Sequence, residues 1–358
     1  MSKRVLVAPL DWGLGHATRC IPIIQALLQQ GAEVILASSG NAFQLLQTEF
    51  PDLIIEKLPA YNIRYQTDNM VWNMATQSFK MLHAIYRENR QLQILIKKHQ
   101  IDAVISDNRL GCFSRQVRSI FITHQINLRL PYRFVQGWIR RINYFFIRQF
   151  DECWIPDVPG DASIAGDLVG KMNTTQLRYI GILSRMQRFN LPQRYDVIVV
   201  LSGPEPQRTR LEQAILQQII HLNYNFLLIQ GIPGESGRLA TAISLNKNVS
   251  IVPFLNTKDL NSAIAASDIV ICRSGYSSIM DLAVLGKKAI FIPTPRQTEQ
   301  EYLAERLFSK GIFYYQQQNE LNVSAALEAV RHFSGFNPQD YQHSRETLSD
   351  AIHQFLQN

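Results

Sequence analysis

"DIVICRSGYSSIMDLAVLGKKAIFIP", residues 268–293, decides the fold. It opens on an apolar run through Cys272, the pattern of a strand buried on both faces. Arg273-Ser274-Gly275 breaks the run, a helical pattern starts near Ser277, and Gly286 precedes a second apolar run that closes at Pro293. Strand, helix and strand joined by short turns form a βαβ unit, the building block of parallel sheets covered by helices.

The alternation extends in both directions. "YDVIVVLSG", "NFLLIQG" and "NVSIVPF" read as strands before this unit, and "IFYYQ" as a strand after it. Through residues 156–193 the pattern loosens, punctuated by Pro156, Pro159, Gly160, Gly166, Gly170 and Gly181. Upstream it returns: "RVLVAP", "EVILAS", "LIIEKL", "DAVISD" and "SIFITH" alternate with helical stretches that include 71–98 and 132–149. The sequence therefore predicts α/β architecture: two Rossmann-like parallel-sheet domains facing across a cleft. The expected bounds are 1–160 and 194–339, with a link over 161–193 and a last helix, about 340–358, returning to the first domain. A chain of 358 residues is too long for one ordinary core.

Hydrophobic residues make up 46% and charged residues 18%, the balance of a globular protein. Cys20, Cys112, Cys153 and Cys272 are widely spaced and form no CxxC pair, so neither a zinc site nor a disulfide framework is indicated and a reducing cytoplasm fits. "MSKRVLVAP" runs straight into a strand without a signal peptide, and no window of ~20 uninterrupted apolar residues is present. The net charge of +7 is concentrated: between Asp107 and Asp151 there is no acid, but there are eight arginines, at 109, 115, 118, 129, 133, 140, 141 and 148. Within "YRFVQGWIRRINYFFIRQF" (132–150), Arg133, Arg140, Arg141 and Arg148 fall within about a third of the helical circle, beside a face carrying Phe134, Trp138, Ile142, Phe145 and Phe146. Such a helix serves either as a surface helix on a core or as a contact for an anionic membrane, placing the protein in the cytoplasm or at the inner face of the membrane. Nucleic acid is not expected, because no nucleic-acid motif accompanies the charge.

In open parallel sheets ligands sit at the carboxyl ends of the strands. The first such end carries "LDWGLGHATRCIPI" (10–23). A dinucleotide fingerprint fails there: GxGxxG needs a glycine where Thr18 stands, and "ILASSGN" supplies no acid for a ribose. What remains is a tight turn through Gly13 and Gly15, free to adopt unusual angles, with His16 near a helix start that favours its neutral form. His16 is read as a general base, with Asp11 or Asp107 as orienting partner or rival base. Asn108, Arg109, His124 and Gln125 end two further strands and are expected to shape an acceptor site.

In the second half, the helix start at Ser277 offers an anion site. Arg273 and the hydroxyls of Ser274, Ser277 and Ser278 add donors, so a diphosphate would be held without a metal or other cofactor. Asp281, one turn later, suits the vicinal hydroxyls of a ribose. Gln300 and Glu301, after the Pro293-Thr294-Pro295 loop, suit the hydroxyls of a sugar.

These motifs resemble the metal-independent GT-B glycosyltransferases, and among them the N-acetylglucosaminyltransferases that make lipid II. "RSGYSSIMD" matches that family's R-S-G-x-x-[ST]-x-x-E motif, with Asp281 in the ribose-binding place. "GKKAIFIPTPRQTEQEYLAE" resembles its segment ending Q-Q-x-x-N-A, with Glu301 where the second glutamine stands. Ser202 and Gly203 in "VVLSGPEPQ" stand where the family has its G-G-S-Q-G-A loop, and Phe254 lies where its uracil pocket lies. The resemblance implies an inverting transferase that moves an N-acetylglucosamine-like sugar from a UDP-sugar to a glycan or lipid-linked acceptor. Gly13, Gly15, His16, Arg19 and Cys20 also match the G-x-G-H-x-x-R-C stretch of the nucleotide-sugar hydrolases of the pseudaminic acid pathway. Hydrolysis or epimerisation on the same fold, or sugar-nucleotide binding without catalysis, are therefore the alternatives.

Overall fold

The computed structural model describes residues 2–61, 70–128, 133–170, 177–232 and 243–357. The chain divides into two compact units. The first comprises Met1–Pro159, Gly166–Gly181 and Ser344–Asn358; the second comprises Gly160–Ala165 and Ile182–His343. The stretch expected as a link is thus shared between the units, and part of it forms a strand.

In the first unit, strands β1 (Arg4–Pro9), β2 (Glu33–Ser38), β3 (Ile55–Lys57), β4 (Ala103–Asp107), β5 (Arg118–Ile122), β6 (Glu152–Ile155) and β7 (Leu177–Tyr179) form one sheet in the order β3-β2-β1-β4-β5-β6-β7. Every pairing in it is parallel. The order reverses between β1 and β4, the switch point where an open sheet leaves a crevice at its carboxyl edge. Helices α1 (Gly15–Gln29), α2 (Gly40–Glu49), α3 (Met70–His99) and α4 (Arg133–Ile147) follow β1, β2, β3 and β5. α1 buries Ala17, Cys20, Ile21, Ile23, Ile24 and Leu27, the apolar stripe of a 3.6-residue period. The reading missed β7, which is only three residues long and carries a central arginine.

The second unit holds β8 (Tyr195–Val200), β9 (Phe226–Ile229), β10 (Ile243–Ser244), β11 (Val249–Val252), β12 (Ser267–Cys272), β13 (Lys288–Phe291) and β14 (Tyr314–Tyr315) in the order β10-β11-β9-β8-β12-β13-β14. All pairings are parallel except the two-residue edge strand β10 on β11. α5 (Gln207–Ile219), α6 (Thr257–Ala265), α7 (Tyr276–Leu285), α8 (Thr298–Ser309) and α9 (Val323–Ala329) complete it. Its core includes Val197, Val199, Ile215, Phe226, Ile271 and Ile290, each at most 1% exposed, with the strand residues alternating toward α5 and α9. The last helix, α10 (Ser344–Gln357), belongs to the first unit. There Gln30 Nε2 on the α1 C-cap donates to Ser349 O at 2.9 Å, and Phe355 meets Trp154 edge-on at 5.7 Å.

Candidate functional site

In the first unit, Pro9 at the end of β1 pairs with Asp107 at the end of β4, so both strands deliver their next residues to one place. Gly13 takes φ +78, which only glycine adopts readily, and nothing lies within 4 Å of where its Cβ would stand. Gly15, in contrast, is the first residue of α1 and adopts no positive φ, so its expected unusual angle is absent. The turn sets His16 into the first helical turn, facing the buried Asp107: Nδ1 lies 3.0 Å from Oδ1. Arg19, one turn on, donates from Nε to Asp107 Oδ2 at 2.5 Å and from a terminal nitrogen to Oδ1. That guanidinium also lies 2.7 Å from His16 Nδ1 and 3.0 Å from His124 Nδ1. Burial, and then the Arg19 charge, push the His16 imidazole below its ordinary value, against the opposing pull of Asp107. Burial alone would raise the Asp107 carboxyl, but the Arg19 charge and the hydrogen bonds it receives hold it well below the usual range. A neutral imidazole backed by a carboxylate is the arrangement of a general base.

Two further expectations for this unit are corrected. Asp11 is not a partner of His16. Its Oδ1 accepts from Ala42 N at 3.2 Å, and a Cβ on Gly40 would come within 2.0 Å of its Oδ2, so this carboxylate docks on the first turn of α2, where the helix dipole favours an anion. Arg109 does not face an acceptor. It is fully buried and donates to Pro9 O, Pro59 O, Ser39 Oγ and Glu88 Oε1 at 2.5–3.1 Å. Sequence reading saw an arginine at a strand end but not the buried Glu88 on α3 that draws it inward.

In the second unit, the register aligns Val200 of β8 with Cys272 of β12, and Cys272 with Phe291 of β13. Ser202-Gly203, Arg273-Ser274-Gly275 and Pro293-Thr294 therefore leave three adjacent strands on the same edge. Gly275 is the N-cap of α7 and offers no side-chain cap, while Ser277 and Ser278 stand half-buried in its first turn. Gly203 takes φ +105, which favours glycine, and its α-carbon faces Thr294 Oγ1 and Arg273 Nε, 3.5 and 3.9 Å from where a Cβ would stand. Those two buried atoms have no hydrogen-bond partner among the described residues. An orphaned buried polar atom is costly, and a ligand atom placed there would satisfy it. Thr294 was not singled out from the sequence; the only signal was its place after β13.

The other donors are occupied. Three of the Arg273 bonds from its terminal nitrogens go to the carbonyls of Ile292, Pro293 and Gln207, and a fourth goes to Gln318 Oε1. Only its Nε faces the Gly203 side. Ser274 is wholly buried and its hydroxyl donates to Gln300 O at 2.7 Å, so it supplies no donor to a diphosphate. Gln300 Oε1 accepts from Thr294 N at 2.8 Å and Glu301 Oε1 accepts from Arg296 N at 3.0 Å, so both side chains shape the 293–297 loop instead of projecting freely. Phe254, half-buried after β11, stands three strands from β12, roughly 14 Å at the usual spacing.

Asp281 Oδ1 accepts from Ser184 Oγ at 2.6 Å, and burial pushes the carboxyl up to about 6 against the pull of the Arg185 charge. A carboxylate accepts from a diol in its charged form, so a diol ligand held by Asp281 is expected to lose affinity about tenfold for each pH unit below 6. Calorimetric titration of nucleotide sugars at pH 5 and 7.5 measures this; in Asp281→Asn the difference should vanish.

Residues 197–356 match the glycosyltransferase family 28 C-terminal domain. The chain is a glycosyltransferase. The enzyme is similar to the UDP-N-acetylglucosamine–N-acetylmuramyl-(pentapeptide) pyrophosphoryl-undecaprenol N-acetylglucosamine transferase of Histophilus somni, with 23% identity over 345 residues, 92% of this chain and 90% of the relative. The transferase of the same description from Haemophilus ducreyi is 25% identical over 317 residues, 85% of this chain and 81% of its own. Among solved structures, Acinetobacter baumannii MurG superposes with TM-score 0.57 at 15% identity, covering 99% of each chain. The glycosyltransferase SnogD from Streptomyces nogalater superposes with TM-score 0.65 at 14% identity, covering 100% of this chain and 99% of its own. These superpositions identify the fold as GT-B, with two Rossmann-like domains.

Proposed function

We propose that this glycosyltransferase moves N-acetylglucosamine from UDP-N-acetylglucosamine to a lipid-linked glycan acceptor, with inversion and without a metal. The observation that carries the reading is the pair of buried atoms beside Gly203, Arg273 Nε and Thr294 Oγ1, which have no partner among the described residues, on the sheet edge from which α7 starts. A helix N-terminus stabilises developing negative charge without reorganising, which is what a departing diphosphate requires. Asp281 takes the ribose hydroxyls, Phe254 contacts the base, and Gln300 and Glu301 form the loop against the donor sugar.

His16 Nε2 takes the proton of the acceptor hydroxyl, and Asp107, 3.0 Å from Nδ1, stabilises the charge the ring gains. The freed oxygen attacks the anomeric carbon on the face opposite the diphosphate. The bond to the diphosphate oxygen breaks with its electron pair, so one displacement inverts the configuration. The near-full-length match to transferases described as using UDP-N-acetylglucosamine and an undecaprenol-linked acceptor supports these substrates.

A membrane-linked acceptor also gives α4 a purpose. Arg140, Arg141 and Arg148 are exposed, and Ile142 and Phe145 are 43% and 62% exposed, while Phe146 and Ile147 pack inward. Arg141, Phe145 and Arg148 share one stripe of the helix, the composition of a surface that lies on anionic lipid. The side chains of Arg133, Phe134 and Trp138 lie outside the described residues. Replacing Arg140, Arg141 and Arg148 by Gln is expected to weaken binding to phosphatidylglycerol vesicles by about fivefold per residue. Co-sedimentation at two salt concentrations measures it; undiminished binding would remove α4 from the reading.

The reaction is tested by incubating the protein with a panel of nucleotide sugars. UDP release from UDP-N-acetylglucosamine that accelerates with lipid-linked acceptor and persists in EDTA supports the reading. Fast release into water alone makes the protein a hydrolase, which the GHATRC stretch would fit. Tight binding without turnover makes it a sugar-nucleotide-binding protein.

A further inference from the structure

Residues 16 and 19 lie three apart on α1, on one face of the helix. Arg19 is 2% exposed and spans both carboxylate oxygens of Asp107, with its remaining terminal nitrogen on His124. The groups that face the His16 ring among the described residues are therefore Arg19 on the same helix, Asp107 at the end of β4 and His124 after β5. The Cys20 thiol lies 3.6 Å from Asp107 Oδ2.

The charge balance of this cluster decides what His16 can do. A buried carboxylate beside an imidazole, with no other cation, stabilises the imidazolium as an ion pair. An imidazolium has no lone pair with which to accept a proton. The bidentate guanidinium supplies the missing positive charge permanently, since it does not lose its proton in proteins. We propose that Arg19 is a positioning residue that keeps His16 neutral and able to accept a proton, by taking up the charge of Asp107. The catalytic use of that lone pair rests on the reading of His16 as base, but the electrostatic role is tested without it.

The experiment is a nitrogen-15 NMR titration of the full chain, with ring-labelled histidines, alongside the pH profile of UDP-sugar turnover. In Arg19→Gln the titration midpoint of His16 is expected to rise by about one pH unit, a tenfold gain in proton affinity. The acidic limb of turnover should move up with it. A merely structural arginine would change stability and leave the midpoint in place, and an unchanged or lowered midpoint overturns the proposal. Should Arg19→Gln fail to fold, Asp107→Asn gives a second reading with the shape retained. With the carboxylate gone and the guanidinium still present, the midpoint falls. A midpoint that holds or rises there overturns the proposal equally. If the midpoints move as stated but the turnover limb does not follow, the role of Arg19 stands and the assignment of His16 as base falls.

Discussion

His16→Ala is expected to lower turnover by about 10²–10⁴-fold, the usual contribution of a positioned general base, while nucleotide-sugar affinity stays within about twofold. The separation arises because the groups proposed to hold the donor, Gly203, Arg273, Thr294 and Asp281, all belong to the second unit, whereas His16 belongs to the first. The substitution is mild for the fold: residue 16 is in the first turn of α1, where alanine is well tolerated, and its side chain is 14% exposed. Steady-state turnover and calorimetric binding on the same preparation measure both quantities. Wild-type turnover would remove His16 from the mechanism; an equal loss of binding would make it a donor contact.

Arg109→Met is expected to cost the first unit about 3–5 kcal/mol, because it strands a buried carboxylate. Glu88 is wholly buried, and besides Arg109 it meets only neutral donors in the described contacts, Tyr61 Oη and Gly111 N. The lost guanidinium also ties the end of β1 at Pro9, the entry to α2 at Ser39 and the chain after β3 at Pro59. All four tryptophans, 12, 72, 138 and 154, lie in the first unit, so tryptophan fluorescence in urea follows its unfolding separately. Adding Glu88→Gln to Arg109→Met should recover much of the loss, since the stranded charge goes. Equal midpoints for wild type and Arg109→Met would show that the pair contributes nothing.

The fold was legible because the strands of both sheets are continuous apolar runs set between glycine- and proline-marked turns. The strands that escaped reading, β7 and β10, are three and two residues long, too short for periodicity to register. Position at a strand end was also legible: Asp107 is the last residue of β4, His16 stands seven residues after β1 and Gly203 three after β8. What order along the chain could not convey is which polar side chains turn inward. Arg109 turns toward Glu88, Arg273 toward three carbonyls, and Ser274 toward one; Asp11 takes a helix start. In each case a buried partner distant in sequence sets the direction, and nothing in the local pattern announces that partner. Arg19 shows the reverse. It matched a motif without any assigned role, and its part emerges only once Asp107, 88 residues away, lies beside it.

Because α10 and β7 complete the first unit, that unit is built from three separate lengths of chain. During synthesis its α1 surface stays uncovered, and Trp154 lacks its Phe355 neighbour, until the whole second unit has left the ribosome. A fragment ending near residue 160 should accordingly be sticky and poorly soluble when expressed by itself. A circular permutant that joins the 344–357 helix directly ahead of residue 2 should restore its solubility.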